Sequence, residues 1–156
     1  MVTGLERSGQ VEPNDTIEAI EECYRLGWSD GLPVVPPVDY KVQEMLEYAG
    51  MTGEEELISL EMRRRVITSE NAAANAVMAG CRPEYLPVVL AAVEAMCDEV
   101  FNLYAIQATT HPCAPLIIVN GPICDDLGLH GGSGAFGPGW QPNATIGRAV
   151  RLVQLN

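Results

Sequence analysis

The side chains able to do chemistry gather in a few short stretches of this 156-residue chain. Cys81 falls between Gly80 and Arg82-Pro83. The pattern predicts one helix ending at that glycine and another opening at that proline. Free N–H groups and the positive end of a helix dipole stabilise a thiolate, and Arg82 adds charge beside it. Cys81 is therefore a candidate nucleophile or soft metal ligand. The alternative is a packed thiol at a helix–helix corner. His111 and Cys113 sit two apart in Thr110-His111-Pro112-Cys113-Ala114. A neutral-pH imidazole on a loop suits general-base work or substrate binding; a satisfied structural histidine is the alternative. Adding Cys124 and His130 gives four residues of zinc-competent type, though their spacing matches no standard finger.

A third stretch, Gly131-Gly132-Ser133-Gly134-Ala135-Phe136-Gly137, contains G-x-G-x-x-G at 132, 134 and 137. A dinucleotide fingerprint needs that motif directly between a strand and a helix. Here Asp125, Asp126 and a loop precede it, and Pro138 and Pro142 follow before the next helix. The better reading is a nest of backbone N–H groups for a carboxylate, phosphate or oxyanion, with Gly132, Ser133, Gly134 and Asn143 as binding candidates. Ser133 lacks the context of a nucleophile elbow. Asp30, in Trp28-Ser29-Asp30-Gly31, is either a carboxylate base or an Asx-turn former, and the turn is favoured. Asn120 ends an apolar run and is placed toward the same cavity as His111.

These residues need elements to hold them. Asp15 and Glu18 start a helix through Ile17, Ile20 and Tyr24 that stops at Gly27, with Cys23 near its inner face. Residues 28–37 carry too many prolines for a helix and read as a turn followed by an extended segment. Asp39 caps a helix with Val42, Met45, Leu46 and Ala49 inward. Thr52 and Glu55 cap a short third piece. Leu57 to Thr68 is ambiguous between strand and helix. Ser69 caps an alanine-rich helix to Gly80, and a helix from Pro83 carries Leu86, Val89, Leu90, Val93 and Met96. Asn102–Thr109 and Leu116–Val119 are predicted strands, the second buried on both faces. Asn143 caps a last helix with Ile146, Val150 and Val153.

The fold expected is α/β or α+β: several helices on a small central sheet, in one domain over 14–156, after a flexible arm over 1–13. Hydrophobic residues are 47 % and charged residues 19 %, which excludes a disordered chain. No apolar run approaches the ~20 residues that span a bilayer, and no secretory leader is visible. A net charge of −12 argues against a nucleic-acid partner. The five cysteines are odd in number, with no CxxC pair, so reduced thiols in a cytoplasm are expected. Residues 1–65 hold fourteen acids and six bases, but from Phe101 to Gly147 the only charges are Asp125 and Asp126. A solvated surface carries more charge than that. The stretch is expected to be hidden, either around a pocket or against a partner; a neutral glycine-rich loop region is the alternative.

GWSDGLPVVPP (27–37), NAVMAGCRPEYLPVVLAAVEAM (75–96), QATTHPCAPLIIVNGPI (107–123) and GSGAFGPGWQPNATIGRAVRL (132–152) resemble an uncharacterised bacterial family associated with UGSC-motif (seleno)proteins. The resemblance covers roughly residues 25–155, the N-terminal half of longer members. It implies a split protein whose second half is another polypeptide. Cys81, His111, Asn120 and the GSG loop match its motifs, but no U/C-G-S-C motif is present.

Two functions follow as expectations, with no cofactor specified. One is a subunit of a small-molecule enzyme, of lyase or hydrolase type. Its pocket would be formed by the Cys81 corner, the His111 turn and the 131–137 loop, with Asn120 and Asp30 as further catalytic candidates. The other is a non-catalytic subunit of a hetero-oligomer whose partner carries the chemistry. A metal-binding protein using His111, Cys113, Cys124 and His130 is a third.

Overall fold

A computed structural model describes residues 15–60 and 65–156. The arm expected over 1–13 lies outside the described residues. The class is α+β, with helices throughout the chain and a small antiparallel sheet. The first helix, α1 (Thr16–Arg25), starts where Asp15 accepts a hydrogen bond from the Glu18 N–H. It buries Cys23, while Ile17 of the expected inner face is exposed. The proline-rich segment that follows is extended; Val34 and Pro37 are buried, and the Val35 N–H donates to Met78 O. Helix α2 (Asp39–Ala49) buries Val42, Met45 and Leu46 and ends at Gly50, φ 68°, where a side chain would be strained. Val38 is its capping residue, and Asp39 is the first helical residue.

The ambiguous stretch resolves as a two-stranded sheet, β1 (Glu56–Leu60) against β2 (Arg65–Thr68), with an irregularity in register between Glu56 and Ile58. Thr52 and Glu55 form no helix; the Glu55 carboxylate instead accepts from the Thr52 N–H and hydroxyl.

Helix α3 (Ser69–Ala79) is the centre of the molecule. Thr68, not Ser69, caps it: its hydroxyl accepts from the Asn71 N–H, and the Asn71 side chain accepts from the Thr68 N–H. This is a reciprocal capping box. Ala72, Ala73, Ala74 and Ala76 are wholly buried, because α3 packs against α2, α4 and α7. Methyl side chains let helix axes approach closely on several sides at once. The one-turn 3-10 segment Pro83–Tyr85 leads into α4 (Leu86–Cys97), which buries Leu86, Val88, Val89, Val93 and Met96.

Two strand expectations are corrected. Residues 103–108 form a short helix, α5 (Leu103–Ala108), entered through Asn102 at φ 53°. A short, mostly apolar stretch fits either state, and among the described residues no strand lies beside this one to fix it. Leu116–Val119 is neither helical nor paired with a described strand, and Leu116 and Ile118 are exposed, so it is not a doubly buried strand. The small sheet is formed earlier in the chain and sits beside α4 and α3 rather than at the centre. The chain then makes α6 (Ile123–Leu127) and the long α7 (Gln141–Leu155), which buries Ile146, Ala149, Val150, Leu152 and Val153. Trp140 precedes α7 as its capping residue; Asn143 lies inside the first turn.

Candidate functional site

Helix α7 organises most of the singled-out residues. Gln141, Thr145 and Arg148 recur at i, i+4 and i+7, so they share one face. Gln141 and Thr145 face the Gly80–Cys81 corner, and Arg148 holds the turn at Asp30. Gln141 Nε2 donates to Gly80 O at 3.2 Å. Thr145 lies against the same corner, where a methyl group built on Gly80 would meet its side chain at 3.6 Å, and Thr145 Oγ1 donates to Gln141 O at 2.8 Å. Arg148 grips Asp30 with two bonds, Nε to Oδ2 at 3.0 Å and Nη2 to Oδ1 at 2.8 Å, and also donates to Leu32 O.

The Cys81 corner differs from its expected chemistry. Gly80 closes α3 at φ 89°, and the Cys81 N–H donates to Ala76 O. The thiol thus sits at the carbonyl end of α3, the negative end of that dipole. Pro83 opens only a single 3-10 turn, with Arg82 extended before it. Burial pushes the thiol up to about 11, only partly offset by the Thr145 hydrogen bond. An activated thiolate is not what this corner stabilises: at neutral pH residue 81 carries a protonated thiol. Cys113, by contrast, is exposed. Brief iodoacetamide treatment of native protein at pH 8 is therefore expected to label Cys113 first and leave Cys81 unmodified until the protein is unfolded. Peptide mass spectrometry checks the order, and early labelling of Cys81 would refute the protonated-thiol reading.

Asp30 is committed to structure. Its carboxylate accepts from the Leu32 N–H at 3.2 Å, while Ser29 Oγ accepts from the Gly31 N–H and donates to Leu32 O. The turn reading of Trp28-Ser29-Asp30-Gly31 is the one the geometry shows. The Arg148 hydrogen bonds, more than the opposing desolvation, hold its carboxyl below the usual carboxylate range.

The glycine-rich loop is a built structure anchored on Asn143. Asn143 Oδ1 accepts from the His130 N–H at 2.9 Å, and its amide nitrogen donates to His130 O and Ala135 O. The His130 ring stacks on Trp140 with centroids 3.8 Å apart and planes within 4°. His130 Nε2 is 3.0 Å from Ser133 O, a carbonyl that only accepts, so the proton is on Nε2. Ala135 and Gly137 donate their amides to carbonyls of the same loop. Gly132, Ser133 and Gly134 are exposed, and their amides have no acceptor among the described residues. Asn143 therefore acts as the loop's clamp. Trp140, Thr145 and Arg148 escaped the sequence reading. The i, i+4, i+7 recurrence of polar residues on α7 was the signal for the last two.

His111 lies on an exposed turn, where its N–H donates to Thr109 Oγ1 and its carbonyl accepts from the Cys113 N–H. No hydrogen bond among the described residues joins this turn to the Cys81 corner or the 130–137 loop. Asn120 is exposed beside Gly121. The Cys124 thiol donates to Val119 O at 3.2 Å. His111, Cys113, Cys124 and His130 are not gathered into one ligand set. Among the described residues no group of three or more His, Cys, Asp or Glu is placed to hold a metal ion. A cleft of about 510 Å³ opens elsewhere, between β1 and α4, lined by Met51, Glu55, Glu56, Leu57, Leu90 and Glu94. None of the candidates lines it.

The uncharged stretch is not hidden by the described residues. Leu116 is 65 % exposed, Ile118 73 %, Phe136 92 % and, just before the stretch, Val100 94 %. No helix among the described residues is long and apolar enough to cross a membrane. No family model, curated protein or solved structure matches the chain.

Proposed function

We propose that this protein is an assembly subunit. Its uncharged stretch, 101–147, is covered by a partner polypeptide, and any small-molecule chemistry is completed only in that assembly. The observation that supports this is the coincidence of two properties in one stretch. It is almost free of charge, and it leaves Leu116, Ile118 and Phe136 in water. Exposed apolar surface without surrounding charge marks interaction sites. Tyr104 of α5 is also more than half exposed.

The arrangement of candidates favours this reading over a self-sufficient enzyme. Cys81 is a protonated thiol, Asp30 is spent on Arg148, and Asn143 is spent on the loop. His111 remains exposed and free to meet a partner or a substrate held by one. The test is the size of the protein in its own cells. An antibody against the chain follows it through gel filtration of a gently prepared extract. It is expected to elute well above the 16.8 kDa of one chain. Elution at the size of a single chain would overturn the reading.

A further inference from the structure

We infer that residues 115–119 are a strand edge that pairs antiparallel with the same segment of a second copy, centred on Ile117. The inference rests on the assembly reading above and specifies the partner. Residues 112–120 are neither helical nor paired in a sheet with a described residue. Leu116 and Ile118 face solvent, whereas Ile117 and Val119 pack on the core. That alternation is the period of a half-buried strand. Val119 O accepts from the Cys124 thiol, so this carbonyl points into its own chain. Backbone groups of successive strand residues point to opposite edges. The N–H and C=O groups of Leu116 and Ile118 therefore line the outer edge. None of them has a hydrogen bond to a described residue. An edge of this kind is a template for another strand.

Charge selects a second copy as the occupant. A chain of net charge −12 repels itself wherever two acidic faces meet. Two copies can approach only through a face without charge, and no ionic group lies between Phe101 and Cys124. The segment is also complementary to itself in one register. A two-fold axis at Ile117 places Leu116 opposite Ile118, so all the exposed apolar side chains meet across the axis. It makes Leu116 and Ile118 the hydrogen-bonded pairs and leaves Pro115 opposite Val119 at a non-bonded position. A proline's missing N–H is harmless there. An axis at Leu116 would set Ile118 against Ala114, and one at Ile118 would set Leu116 against Asn120. Both leave an apolar side chain without an apolar partner.

Two measurements on the purified full chain test this. Sedimentation is expected to show a dimer, and the double substitution Leu116→Lys, Ile118→Lys is expected to weaken it by more than about tenfold, since like charges would then face each other. Both side chains are exposed, so circular dichroism should show the fold unchanged. The second measurement reads the register. In a Cys113→Ser background, Ile117→Cys is expected to form an intermolecular disulfide under mild oxidation. Non-hydrogen-bonded partners sit about 4.5 Å apart between Cα atoms, within disulfide reach. Leu116→Cys is expected to form none, because its symmetry mate lies beyond the roughly 7 Å limit. A monomeric wild-type chain, a dimer blind to the lysines, or cross-linking through Leu116→Cys but not Ile117→Cys would each overturn the inference. A large complex in the cell extract together with any of those results would leave the assembly reading standing and make the partner a different polypeptide.

Discussion

Replacing Ala76 by leucine is expected to destabilise the protein by about 3 kcal/mol, the largest effect of any single addition considered. Ala76 is wholly buried in α3, a helix packed against α2, α4 and α7. One turn on, a methyl group built on Gly80 would meet the Thr145 side chain of α7 at 3.6 Å. Three extra carbons at residue 76 have no solvent to escape into. They must push neighbouring side chains off their rotamers or separate the helices, which costs roughly 1–3 kcal/mol or more in well-packed interiors. In a chain of this size that corresponds to a melting point lower by about 10 °C. Ala91 of α4 is exposed, so Ala91→Leu makes the same change of helix propensity without the crowding. It should leave the melting point almost unchanged. Equal melting points for the two variants would show that α3 is not the close-packed centre described above.

Arg148→Ala is expected to cost about 2 kcal/mol and to loosen the turn at Asp30 more than any other part of the protein. The substitution removes three hydrogen bonds: two to the Asp30 carboxylate and one to Leu32 O. The two side chains are only 20 % and 16 % accessible. The loss should therefore exceed that of an exposed ion pair, which is roughly 0–1 kcal/mol. Faster hydrogen exchange at the Gly31 and Leu32 amides is the local signature. The pH dependence has a definite sign. Asp30 titrates below its ordinary value in the folded protein, chiefly because Arg148 donates to it. The stabilisation is therefore full above the unfolded carboxyl value near 4 and is lost as pH falls through the lower, folded value. The stability difference between wild type and Arg148→Ala should be constant above about pH 5 and shrink in more acid solution. A difference that stayed constant down to about pH 2 would show that the pair contributes nothing through charge.

Several local features were legible in the residues alone. Gly50 and Gly80 end helices because only glycine enters the left-handed region there cheaply, and both helices stop where the sequence predicts. The i, i+3, i+4 rows of α2, α4 and α7 name their own buried faces. Asp30 was readable as a turn former from its neighbours, since an Asx turn needs only the next two residues. Capping residues were misplaced by one position at α2 and α3 and by three at α7. The residue types that cap also tolerate the first helical turn.

Residues whose roles depend on distant partners were not legible. Cys81 reads as a thiolate when only Arg82 and Pro83 are considered. Its proton is decided by burial in the folded core, which outweighs the opposing effect of Thr145, 64 positions away in the sequence. Leu116–Val119 reads as a buried strand because its apolar run is unbroken, but a strand exists only when a second one lies alongside. Among the described residues none does.

The sequence by itself determined α2, α3, α4 and α7, the buried faces of α2, α4 and α7, and the absence of charge from 101 to 124, because periodicity and composition act over a few residues. Only the tertiary structure decided which polar groups are already satisfied and which apolar side chains remain in water. Those properties belong to contacts between segments, and the physics of burial and hydrogen bonding is settled where the segments meet.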